Sequence, residues 1–164
     1  MPQCPHTNGT FRLVCGGIFF LFILIGLGCS KKAPRYPEDH ARFQRIVEAL
    51  NTLETAYVNH DAATIHELLL PLDPLAKWEA AIRQDFSTFS HITLDLNIDR
   101  IVIDESQITA FLSWQGTWKR TPDSQPIATL GHGTLLLSGS QVILIRGIDG
   151  ELPFGISTKP NFPS

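Results

Sequence analysis

Cysteine is almost missing from this chain. Three occur in 164 residues, Cys4, Cys15 and Cys29, and the stretch from Ser30 to Ser164 has none. That stretch can form no internal disulfide and no cysteine-based metal site, so its fold rests on core packing. A basic surplus is missing too. Lys and Arg number 13 against 16 Asp and Glu, for a formal net charge of -3. The first 28 residues hold Arg12 and no acid, which leaves 12 basic against 16 acidic side chains, a net of -4. Nucleic-acid binding draws on positive charge that neutralises phosphates, and this balance does not offer it. There is no internal repeat and no G-x-S-x-G serine. S-G-S at 138–140 reads as a turn, and G-H-G and G-I-D-G do not join a strand to a helix as phosphate loops do. His60 and His66 stand six apart, not at the four-residue spacing that puts two ligands on one helical face. No metal site and no cofactor are expected.

What is present begins with one long apolar run. Leu13 to Gly28 is 16 residues without a charge. A spanning helix uses about 20 such residues, so this run is short. Arg12 precedes it and small residues end it, the pattern of a secretory signal. It closes on I-G-L-G-C-S. Gly26, Leu27, Gly28 and Cys29 resemble the lipobox of bacterial lipoprotein signal peptides. Gly28 and Cys29 match it. Gly26 stands where leucine is usual, and Leu27 is larger than the usual residue. The resemblance implies cleavage before Cys29 and a diacylglycerol thioether on it. It places the protein on the bacterial cell envelope, facing the periplasm from the outer membrane in a Gram-negative cell. Each buried CH₂ adds about 0.8 kcal/mol of membrane affinity, so two or three chains on one cysteine anchor firmly. The other reading is an uncleaved N-terminal anchor with Cys29 incidental. Residues 29–37 carry Lys31, Lys32, Arg35 and two prolines, and read as a tether.

The remainder, 38–157, reads as one α+β domain, with a tail at 158–164. Phe43, Ile46, Val47, Leu50, Leu53 and Tyr57 recur at steps of three or four, which predicts a helix from about Glu38 to Asn59. Asp61 is placed to cap a second, short helix carrying Ile65, Leu68 and Leu69 and stopped by Pro71. Asp73 is expected to cap a third, with Pro74 at its first position and Leu75, Trp78, Ile82, Phe86 and Phe89 along it. At His91 the period becomes two. Ile92, Leu94, Leu96 and Ile98 alternate with polar residues, and then Ile101 and Ile103 fall out of phase. A β-bulge near Asp99 and Arg100 would restore the inward face. Further strands are predicted over Ile108–Lys119, Ile127–Leu137 and Val142–Ile148. In the second, Ala110, Leu112, Trp114 and Trp118 share a face. The fourth is apolar on both faces, which argues for a central or covered position. D-G-E-L-P-F-G reads as a turn, and the residues beyond it as a loose, proline-rich tail. The whole is α+β, with N-terminal helices packed on a curved four-stranded antiparallel sheet.

That order, with A-Y-V-N-H-D-A-A-T-I-H-E-L-L running from the end of the first helix through the second, resembles the nuclear transport factor 2-like superfamily, whose members wrap a bent sheet around a helix to make a cone. The stretch Leu152–Ile156 is short for the further strand many members have. The resemblance implies an interior pocket, and the residues that could line it are Tyr57, Trp114, Trp118 and His132. Such folds host isomerases, dehydratases and pure binding domains, so the fold leaves function open. Asp95, Asp99 and Asp104 are candidate bases. Asp95 shares its face with Thr93, Asn97 and Asp99, which reads as solvated. The expectation is a lipid-anchored envelope protein with a small non-catalytic domain, binding a small apolar ligand or an envelope protein. The alternative is an envelope enzyme of isomerase or dehydratase type.

Overall fold

The computed structural model describes residues 37–160. The apolar run, Cys29 and the tether up to residue 36 lie outside the described residues, as do the last four.

Helix α1 spans Pro37–Val58, with Glu38 and Asp39 in its first turn, where acidic side chains suit the positive helix end. Ile46, Leu50, Leu53 and Tyr57 are buried along one face, while Phe43 at the start of the stripe stays 42% exposed. His60 ends the helix in the left-handed region at φ 57°. Asp61 N–H then donates back to the Ala56 carbonyl at 2.8 Å, closing the turn as glycine commonly does. Asp61 caps α2, Ala62–Leu68, accepting from the Ala63 and Thr64 amides. Its other oxygen accepts from the Thr64 hydroxyl at 2.6 Å.

Helix α3 spans Asp73–Thr88. Asp73 was expected to cap it, with Pro74 first. The helix instead begins at Asp73 itself, and extended Leu72 takes the cap position without a side-chain bond. The reason is that the Leu72 carbonyl already accepts from the amides of Leu75 and Ala76. Asp73 serves as a first-turn charge.

Four strands come next, β1 His91–Asp104, β2 Gln107–Lys119, β3 Ile127–Ser138 and β4 Leu144–Gly150. They form one antiparallel sheet in the order β1-β2-β3-β4. The bulge falls at Asp99: Ile98 pairs with Leu112, and Arg100 with Phe111. Ile101 and Ile103 then oppose inward-facing Ala110 and Ile108, so the phase slip is a real change of register. β4 starts two residues later than expected, leaving Val142 67% exposed. It is an edge strand, not a central one. Of the two expected positions it takes the covered one: the α2–α3 connection lies over part of its edge, with the Leu70 amide donating to the Ile145 carbonyl at 2.9 Å.

The helices and the inner sheet face share one core. The structure departs most from expectation after β4. The segment read as a turn and a loose tail is packed: Leu152, Phe154 and Ile156 are all buried. It ends in a short 3₁₀ turn, Ile156–Thr158, entered through left-handed Gly155.

Candidate functional site

The inner sheet face is built from alternate residues of β2 and β3. Trp114 and Trp118 project from β2, and their rings meet edge to face at 6.3 Å. Glycine makes room for them. A Cβ on Gly116 would meet the Trp118 ring at 2.4 Å, and one on Gly131 the Trp114 ring at 2.7 Å. Tyr57 descends from α1 into the same space. Trp118 Nε1 donates to the Tyr57 hydroxyl at 3.0 Å, and that hydroxyl donates to Asp85 Oδ2 at 2.7 Å.

Asp85 is the buried charged residue among those described, fully enclosed at 0% exposure. It reaches the interior because Leu75, Trp78, Ile82, Asp85 and Phe89 succeed one another at steps of three and four along one face of α3. Its remaining partners come from the far end of the chain. The Ile156 amide donates to Oδ2 at 3.0 Å, and the Ser157 amide to Oδ1 at 2.8 Å. Burial first, and the Asp85 carboxyl next, push the Tyr57 phenol far above its ordinary value. The phenol is therefore a fixed neutral donor, and its proton is committed to Asp85.

The segment 151–159 closes the interior. Phe154 sets its ring edge against Tyr57 at 4.8 Å and against Trp78 at 5.3 Å. Trp114 Nε1 donates to the Glu151 carbonyl at 2.8 Å, and the Glu151 amide donates to the His132 carbonyl at 3.2 Å. Lys159 Nζ donates to the Leu152 carbonyl at 2.6 Å, and burial holds that amine below its ordinary value.

Of the residues picked from sequence, Tyr57, Trp114 and Trp118 come together inside. His132 does not join them: it projects outward with its side chain 76% exposed, its Nδ1 3.9 Å from Asp99 Oδ2. The close approach beside it is from the opposite face, where a Cβ on Gly133 would meet Leu152 at 2.6 Å. On that outer face Ser113 Oγ donates to Asp99 Oδ1 at 2.8 Å. The order is serine, aspartate, histidine, which does not activate the hydroxyl, since the base must stand next to the nucleophile. Asp95, Asp99 and Asp104 are all exposed. Among the described residues no group of three or more His, Cys, Asp or Glu could hold a metal ion.

Open grooves lie on the outside. One of about 600 Å³ runs along α1 past Val47, Asn51, Thr55 and Asn59. A second of about 510 Å³ lies at the α2–α3 corner, where Glu79 accepts from both His66 and Arg83.

Three helices on a curved four-stranded antiparallel sheet are the nuclear transport factor 2-like fold, and solved structures with that fold resemble this chain. A conserved protein from Planctomyces limnophilus superposes with a TM-score of 0.60 at 15% identity, over 68% of this chain and 95% of its own. A candidate dehydratase of the same fold family from Streptomyces avermitilis gives 0.59 at 9% identity, over 67% and 95%. A nuclear transport factor 2-like superfamily protein from Salmonella enterica serovar Typhimurium gives 0.56 at 17% identity, over 70% and 93%. At these identities the likeness is one of fold. No protein-family model and no curated protein matches the chain.

Proposed function

We propose that this chain is a lipid-anchored protein of the bacterial cell envelope whose α+β domain binds a ligand or partner without catalysing a reaction. The observation that carries the non-catalytic half is the state of Asp85. It is the carboxyl group inside the cone, and both of its oxygens are taken by Tyr57 and two main-chain amides. A general base must reach a substrate proton directly or through one water. With the segment 151–159 in place, Asp85 has no open side from which to do so. The isomerase or dehydratase reading draws on the same tyrosine–carboxyl pair and on the fold shared with a candidate dehydratase. It requires the interior to be open.

The anchor rests on Cys29 and the apolar run before it. Metabolic labelling with a palmitate analogue is expected to mark the full chain and to vanish in Cys29→Ala. Equal labelling of both would remove the anchor from the reading. The interior is tested by acrylamide quenching of fluorescence. All three tryptophans, Trp78, Trp114 and Trp118, line it at 7%, 5% and 0% exposure. Weak quenching, as for buried indoles, is expected. Quenching close to that of free indole would favour the enzyme.

A further inference from the structure

The segment 151–159 is bound much as a peptide is bound. It adds no strand to the sheet. Its main-chain groups are met by side chains and isolated carbonyls: Trp114 Nε1 on the Glu151 carbonyl, the His132 carbonyl on the Glu151 amide, and Asp85 on the Ile156 and Ser157 amides. Phe154 supplies one ring to a slot between Tyr57 and Trp78. Leu152 rests over Gly133, where any side chain would collide. Gly155 holds the left-handed bend at φ 69°, and a Cβ there would meet Ala81 at 2.8 Å. The segment lies beyond β4, the last strand among the described residues, so its release breaks no pair of the sheet.

We propose that residues 151–159 are a strap occupying a peptide-binding groove in cis. The strap opens as a unit when its amides leave Asp85, and the groove then takes an extended peptide of the same chemistry. That chemistry is one aromatic ring flanked by aliphatic residues, a carbonyl for Trp114 and two consecutive N–H donors for Asp85. The proposal deepens the binding-module reading and rests on it. The cis strap lowers the apparent affinity for a peptide in trans in proportion to the time it is closed.

Two measurements on the full chain in detergent test this. In hydrogen exchange of the wild type, the amides of Ile156 and Ser157 are expected to exchange at least about tenfold faster than those of Leu112 and Trp114. That exchange is expected to respond little to low urea, as for a local opening. Equal protection with equal urea dependence means the strap leaves only when the domain unfolds, and overturns the proposal. In the second measurement, a fluorescent peptide of residues 151–159 is titrated by anisotropy. Phe154→Ala empties the ring slot, and Ser157→Pro removes one donor to Asp85. Either is expected to bind the peptide about tenfold or more tightly than the wild type does. No binding by a variant that keeps the wild-type circular dichroism overturns the groove. If both variants lose the fold, the wild-type exchange decides. Neither measurement depends on Cys29, so failure here is distinct from failure of the anchor.

Discussion

At Tyr57 one hydroxyl oxygen serves two neighbours, accepting from Trp118 and donating to Asp85. Tyr57→Phe removes both bonds and leaves the Trp118 N–H and one Asp85 lone pair without this partner. Loss of a buried partner costs about 1–3 kcal/mol. Urea denaturation of Tyr57→Phe is therefore expected to show a loss of that size with an unchanged m-value. A second residue-scale effect comes from His60. Its ring stacks on Phe86 at 4.9 Å. Burial first, and His91 next, hold its pKa below the ordinary 6.5. The unfolded chain thus takes up this proton more readily than the folded one. The contribution of His60 to stability is complete above pH 6.5 and is lost as pH falls through its folded pKa. Melting temperature is expected to fall between pH 7 and pH 5, and His60→Gln is expected to flatten that slope. Asp85, which organises this scale, has only a faint mark in the sequence. It continues the three-and-four stepping of α3, and an aspartate on an apolar stripe is a signal that a buried partner exists. Nothing local says that the partner is 71 residues away.

At the scale of elements, period carried most of the information. The slip from even to odd apolar residues in β1 located the bulge at Asp99, because side-chain alternation allows no other way to keep one face inward. The Asp61 cap was legible because its partners are two and three residues away. The α3 start was missed by one residue, since a cap depends on the backbone angles of Leu72 and these are not written in residue type. Being apolar on both faces, β4 is expected to be central or covered. It ends the strand order, and a distant connection, Leu69–Leu70, covers part of that edge. Gly116 and Gly131 are clearances for the Trp118 and Trp114 rings. Gly116→Ala tests this, since the new methyl would overlap the Trp118 ring. Overpacking of this kind costs about 1–3 kcal/mol. The near-ultraviolet circular dichroism of the tryptophans is expected to change along with the midpoint. An unchanged spectrum would mean that the ring has room to spare.

For the whole molecule, the absence of cysteine from Ser30 onward means that no disulfide within the domain helps to hold it. The melting temperature of the domain is expected to be the same with and without a reductant. A shift of several degrees would show that Cys4, Cys15 or Cys29 forms a disulfide that matters to stability.

By itself the sequence determined the fold class, the order of three helices and four strands, the bulge and the inward tryptophans. These rest on short-range rules of period, capping and turn chemistry. Only the tertiary structure decided that residues 151–159 close the interior. It also set His132 outside and joined Asp85 to Tyr57 and the strap. Those outcomes rest on contacts between residues tens of positions apart. Composition and spacing do not encode which distant amide will satisfy a buried carboxyl group, only that some group must.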